Sequence, residues 1–299
     1  MSFDPIERRQ AIWASDARKI GSGRALDVYL EKIGEQDPLD LSDVEAVQMG
    51  HVMQPVIGRL TEDRLKMRLK DMGDIAVVHP TERWMRSHYD FIDDTGKVLV
   101  EAKNYNAMAR NKFGENLGDY VPPADYYQCL HEATVMGVER VILAVLFGGQ
   151  EFCTFDLRFS EDQKQELIEL EANLWGRINA RTPPPPETAD EARKLYPMSM
   201  SDAVTATADL EQLISGLANI RNTRKRLEAE EDKMQGEICG FMKTAENLVS
   251  IDGRVLATWK TSKPSKRFSS DLFKSSMPDI YEQFVIEQPG SRRFLVKGA

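Results

Sequence analysis

Cysteine is scarce in this 299-residue chain, and Cys129, Cys153 and Cys239 are odd in number and far apart. That excludes a disulfide framework and predicts reduced, buried thiols. The four histidines and three cysteines show no zinc-finger spacing, which excludes a structural zinc module. Long apolar runs are missing as well: no stretch approaches the roughly 18 residues of a membrane span. Met1 to Gln10 carries Asp4, Glu7, Arg8 and Arg9 where a signal peptide needs an apolar run, so a cytoplasmic protein is expected, with no membrane partner. Excess positive charge is also absent. A net charge of -9 excludes a protein that coats nucleic acid through many Lys and Arg contacts to phosphate, so any such site must be local. What is present is 41% hydrophobic residues, enough to bury a core in one large domain or two modest ones.

Pro183 to Pro186 can continue neither a helix nor a central strand and marks a boundary. Before it, helix and strand patterns alternate. Ser15-Asp16 caps a short helix, and Arg24 to Ile33 and Ser42 to about Arg64 read as helices. Ile75 to His79, Trp84 to Ile92 and Lys97 to Lys103 read as strands, the last two joined by the turn Asp93-Asp94-Thr95-Gly96. Pro123 to Met136 follows as a helix. Arg140 to Leu146 and Glu151 to Leu157 are strands about Gly148-Gly149, and Ser160 with Gln163 forms a capping box for a helix to about Asn179. The expected fold class is α/β (α+β), a mixed central sheet flanked by helices over residues 1–182. Residues 183–206 form a proline-rich linker and short helix. From 207 to 299 a long helix patterned in heptads, Leu210 to Leu248, leads into a small β module and a basic tail. The helix seam is interrupted only by Arg224 and Glu231, so it should pair with another helix or another subunit. From Arg254 to Ala299, nine Lys and Arg stand against four acids, a local charge of +5.

Alternation along Lys97 to Lys103 turns Val98, Val100 and Ala102 to the core, while Leu99, Glu101 and Lys103 share the other side. If the hairpin turns at Thr95-Gly96, Asp90 falls opposite Glu101, and two carboxylates converge with an ammonium. Hard carboxylate oxygens suit Mg²⁺ or Mn²⁺, which polarises a phosphate and lowers the pKa of bound water, while an adjacent lysine orients that water. Taken alone, the spacing also fits an ordinary exposed hairpin with a cross-strand ion pair.

Four elements in order resemble the phage-type exonucleases of the YqaJ and lambda exonuclease group, within the PD-(D/E)xK nuclease superfamily, over about Arg8 to Asn179. They are Arg8 with Ser15-Asp16; His88-Tyr89-Asp90-Phe91 with Glu101-Ala102-Lys103; Tyr126-Tyr127-Gln128 followed by His131; and the strand Ala144 to Phe147 with Gly148-Gly149. The resemblance implies metal ligation by Asp90, Glu101 and the backbone carbonyl of Ala102, with Lys103 and Gln128 assisting. It implies that Arg8 and Ser15 grip a DNA 5′ phosphate. It further implies a Mg²⁺-dependent exonuclease that digests double-stranded DNA 5′ to 3′ for recombination in a bacterial host cell. A homo-oligomer, a trimer by family resemblance, and a single-strand annealing protein are the implied partners. The chain departs from the family in having Gln54, followed by Pro55, where the pattern has Glu on an early helix, and in having His88, Tyr89 and Phe91 about the aspartate. Two alternatives use the same residues: a restriction-like or structure-specific endonuclease, and a catalytically weak DNA-end binding protein.

The remaining signals are weaker. Tyr126, Tyr127 and Trp84 are expected in the core rather than on bases. His51 and His131 are expected to be packed or exposed rather than catalytic. The basic run Lys260, Lys263, Lys266 and Arg267, with Arg292-Arg293, reads equally as solvated surface or as a track for nucleic acid.

Overall fold

The computed structural model describes residues 5–37, 39, 41–73, 75–288 and 290–297. It divides into two compact units, Met1–Leu195 and Tyr196–Ala299.

The first unit opens with α1 (Pro5–Arg9), β1 (Ile12–Trp13), α2 (Ala14–Ile20), α3 (Ala25–Ile33) and α4 (Glu45–Leu65). Short strands β2 (Leu69–Asp71), β3 (Val77–Val78), β4 (Met85–Ser87) and β5 (Phe91–Asp93) precede the long β6 (Val98–Tyr105). A 3₁₀ turn then leads to α5 (Pro123–Met136), β7 (Arg140–Phe147), β8 (Glu151–Arg158), α6 (Glu161–Asn179) and α7 (Ala189–Leu195). The main sheet has the order β2-β5-β6-β7-β8, with β6 parallel to β7 and the other pairs antiparallel. The expected mixed sheet flanked by helices is present.

β7 reads Val141-Ile142-Leu143-Ala144-Val145-Leu146-Phe147 without a polar interruption because both its faces are covered. One face packs on α5 and α6 through Cys129, Leu130, Ala133 and Leu167. The other packs on α4 through Ile57. Gly58 permits that approach, since a Cβ there would lie 2.7 Å from the Phe91 ring. The α6 capping box forms as the sequence suggests, with Ser160 and Gln163 bonding reciprocally.

Two strand expectations change. Trp84 to Ile92 is not one strand. β4 pairs with β1 and β3 in a separate three-stranded sheet, β5 pairs in the main sheet, and His88 to Asp90 forms the crossing between them. Tyr89 pins this crossing, with its buried ring in the core and its hydroxyl donating to the Glu132 carbonyl at 3.2 Å. Nor does β6 have one polar face: Leu99, placed with Glu101 by alternation, is buried against the α5 side. The expected strand Ile75 to His79 shrinks to β3, and Asp74 beside it lies outside the described residues.

The first unit runs past Pro183–Pro186 because α7 docks on it. Lys194 Nζ donates to Asp27 Oδ1 at 2.6 Å, and Leu195 packs with Leu26 and Leu174.

The second unit contains α8 (Ala208–Met242), the hairpin β9 (Asn247–Val249) and β10 (Val255–Thr258), and the short helices α9 (Ser270–Ser276) and α10 (Pro278–Gln283). α8 is capped by Thr207, whose side chain accepts from Leu210 N, and ends at Lys243, whose φ of 49° breaks the helical path. The heptad pattern therefore stops short of Leu248, which belongs to β9. Lys260, Lys263, Lys266 and Arg267 lie on exposed chain outside helix and strand.

Candidate active site

β5 and β6 pair Phe91 with Val100 and Ile92 with Leu99, a register that continues to Asp90 opposite Glu101. Asp93 sets this register by accepting from Lys97 N and Val98 N at 2.8 and 2.9 Å, while Gly96 takes a φ of 70° that few other residues tolerate. Asp90 Oδ2 accepts from Ala102 N at 2.7 Å, and Asp90 and Glu101 line the same cavity. Lys103 Nζ donates to Glu101 Oε1 at 2.6 Å. The strand pair therefore joins Asp90, Glu101, Ala102 and Lys103. This is not an exposed hairpin: Glu101 is buried at 6% exposure, in a strand flanked on both edges. A buried carboxylate costs several kcal/mol to desolvate unless it is paired, so this arrangement serves something other than surface solvation.

α5 completes the cluster. Gln128 Nε2 donates to Glu101 Oε1 at 2.6 Å and to Glu132 Oε1 at 3.0 Å. Glu132 is 2% exposed, and the sequence reading missed it. The signal was available, because Glu132 follows Gln128 by four residues on the same helix face. Burial first, and then the neighbouring Glu101 charge, push both the Asp90 and Glu132 carboxyls well above the usual carboxylate range. Burial pulls the Lys103 ammonium down, but Glu101, Tyr105 and Asp90 outweigh it and leave Lys103 firmly protonated. Lys103 is thus paired directly with Glu101, near the raised carboxyls of Asp90 and Glu132.

These side chains open into a cavity of about 490 Å³ whose lining includes Arg8, Ser15, Gln54, Asp90, Glu101 and Gln128, with Trp13, His51, His88 and Glu132. Lys103 reaches the cavity through Glu101. Arg8 Nη2 donates to Ser15 Oγ at 2.6 Å and contacts Asp16 at 3.5 Å. Sequence reasoning passed over Lys32, which is buried and donates to both Asp16 and the Arg8 carbonyl, so that α3 fixes the Arg8 backbone. The Trp13 and His88 rings stack at 5.0 Å on the cavity wall, with the Arg8 guanidinium 5.9 Å from the indole.

His131 lies outside the cavity lining. It is fully buried, with Nδ1 2.9 Å from Glu171 Oε1 and Nε2 3.0 Å from the Arg86 carbonyl. It ties α5 to α6 and β4. Trp84 stacks on Trp175, and Tyr126 packs edge-on to Phe159 and Tyr127. All three aromatic residues expected in the core pack against it.

No family model matches the chain, and no curated protein matches it. Among solved structures it is similar to an alkaline exonuclease from Laribacter hongkongensis at 12% identity and a TM-score of 0.43, covering 64% of this chain and 97% of that one. It is similar to a phage-related exonuclease from Haemophilus somnus 129PT at 8% identity and a TM-score of 0.43, covering 57% and 96%.

Among the described residues, no three His, Cys, Asp or Glu side chains already stand around a common point. The candidate ligand set is of another kind, with two carboxylates, those of Asp90 and Glu101, and one backbone carbonyl, that of Ala102. The donors are hard oxygens, and the buried carboxyls outnumber the single ammonium of Lys103 that pairs with them. Both properties fit a small divalent cation.

Proposed function

We propose that this chain is a metal-dependent deoxyribonuclease that digests double-stranded DNA from its ends, 5′ to 3′, leaving single strands for recombination. The observation that carries this reading is that Asp90, Glu101 and Gln128 share one cavity with Arg8, itself bonded to Ser15. A carboxylate pair suited to phosphodiester hydrolysis thus stands beside a cationic grip suited to a terminal phosphate.

Bound at Asp90, Glu101 and the Ala102 carbonyl, Mg²⁺, or Mn²⁺ in its place, would polarise the scissile phosphate and acidify a water. The chain's own residues do the positioning. Gln128 and Lys103 both hold Glu101 Oε1, which fixes the carboxylate plane. Lys103, kept protonated by its acidic neighbours, orients the attacking water and offsets charge growing on the phosphate. Arg8 and Ser15 donate to the 5′ phosphate and so set the register of the cut at a chain end. A trimer around the duplex and a single-strand annealing partner belong to the same reading, as does a place in the cytoplasm of a bacterial host.

Comparison of linear with closed circular duplex in Mg²⁺ tests it. Loss of the linear form alone, abolished by Asp90→Asn, is expected. Cutting of the circle would replace the exonuclease with an endonuclease. One observation favours a second reading, a weakly catalytic DNA-end binding protein: Gln54 presents a neutral amide to the cavity where a carboxylate would help hold metal. Under that reading Gln54→Glu gains activity.

A further inference from the structure

α8 leaves an ordered apolar stripe uncovered. Leu213, Ile220, Leu227, Met234 and Phe241 recur every seven residues and are 53 to 78% exposed. A second row, Leu210, Leu217, Arg224, Glu231 and Ile238, recurs beside it three residues earlier in each heptad. Together they are the two seam rows of a coiled coil. Of the whole helix only Met242 is buried. Over the C-terminal half the seam forms one wall of an open groove of about 520 Å³, faced by Ala257, Thr258 and Trp259.

We propose that this stripe is an interface with a second copy of the chain and that the two α8 helices pair antiparallel. The charges on the seam decide the orientation. Side by side and in register, parallel helices would set Arg224 against Arg224 of the partner subunit and Glu231 against Glu231 of the partner subunit, burying like charges together. Antiparallel helices pair one row with the other instead. With the dyad between Lys225 and Arg226, Leu210 faces Phe241 of the partner subunit, and Leu217 faces Met234 of the partner subunit. That dyad falls at the middle of Ala208–Met242, so the helices overlap from end to end.

The same register resolves the two seam charges. Arg224 faces Leu227 of the partner subunit, whose next residue is an acid, Glu228 of the partner subunit. Glu231 faces Ile220 of the partner subunit, followed by a base, Arg221 of the partner subunit. Within its own helix, Arg224 already reaches Glu228 at 3.3 Å, so the pairing adds a second acid to the same guanidinium. Arg221 to Arg226 is a basic block and Glu228 to Asp232 an acidic one, and in this register Arg221 of each helix falls opposite Glu230 of the partner subunit.

The test uses the full chain and its own thiol. Cys239 is partly exposed while Cys129 and Cys153 are buried, so a nitroxide reagent labels Cys239. In the proposed pair, Cys239 lies level with Gln212 of the partner subunit, and at roughly 1.5 Å per residue the two labels stand about 40 Å apart. A parallel pair would bring them within about 20 Å, near the coiled-coil diameter plus label length. Sedimentation should show an assembly of even order, a dimer or, with the trimer proposed above, a hexamer of two trimers joined through α8. Ile220→Glu should weaken it at least about tenfold, the scale of one lost hydrophobic layer. Arg224→Glu should weaken it too, and Arg224→Glu with Glu228→Arg should restore it. A monomer, an odd-order assembly, a short label distance, or an oligomer indifferent to Ile220→Glu would each overturn the proposal. None of these readouts depends on nuclease activity.

Discussion

Replacing Lys103 with methionine removes the one ammonium among Asp90, Glu101 and Glu132 while keeping the length of the apolar stem. Lys103 Nζ sits 2.6 Å from Glu101 Oε1, and the pair is 22% and 7% exposed. Breaking a buried pair by deleting one partner costs about 3–5 kcal/mol, and the partial exposure of Lys103 places the cost near the lower end, about 3 kcal/mol. At about 2–4 °C per kcal/mol for a unit of this size, the metal-free variant should melt about 6–12 °C below the parent. The loss should also depend on pH. Asp90 and Glu132 carry pKa values raised in the folded state, so the fold holds protons that the unfolded chain has released. Stability then falls as pH rises from the ordinary carboxylate range through the raised values, and Lys103→Met should steepen that fall. Added Mg²⁺ should recover part of the loss by replacing the missing positive charge. Thermal melts in EDTA and in Mg²⁺, from pH 5 to 9, measure all of this on an approximate grid chosen to span the titration. A change in melting temperature under about 2 °C in EDTA, less than 1 kcal/mol, would refute the charge balance drawn for the site.

Glu132→Gln should act in the opposite direction on stability, raising the metal-free melting temperature by about 2–4 °C through relief of about 1 kcal/mol of buried repulsion. It should slow cleavage roughly 10–100-fold by loosening Gln128 from Glu101, read as kcat on linear duplex. Arg8→Ala should lower kcat/KM about 10–100-fold on 5′-phosphorylated ends, the worth of one charge-assisted contact, and leave 5′-hydroxyl ends unchanged. For His131, burial lowers the pKa but Glu171 outweighs it, leaving a net rise from 6.5. The pair's contribution is therefore full below about 6.5 and fades as pH rises through the raised value, and chemical denaturation of His131→Gln should show that part of the pH dependence flattened.

Much of the site was legible because it is local. The turn Asp93 to Gly96 sets the hairpin register, and the register alone brings Asp90 to Glu101. Gln128 could be placed on a helix, and its i+4 spacing puts Glu132 on the same face, but that this face is buried against Glu101 shows only once α5 is seen against β6. The double burial of β6 was hidden for a related reason: alternation describes a strand with one wet face, whereas β6 is central and Leu99 is covered by α5. The division of Trp84 to Ile92 between two sheets depends on tertiary contacts of Tyr89 that have no periodic signature. Lys32 illustrates the same limit from the other side, since a lysine within a helix reads as solvated until Asp16 and the Arg8 carbonyl are found beside it.

The most direct test of the central claim is digestion of linear duplex labelled at the 5′ or the 3′ end, with Mg²⁺ or EDTA, by the parent and by Asp90→Asn. Early release of the 5′ label as mononucleotide is expected from the parent in Mg²⁺ only, with no release by Asp90→Asn. Intact DNA in both Mg²⁺ and Mn²⁺, or equal release by Asp90→Asn, would contradict it.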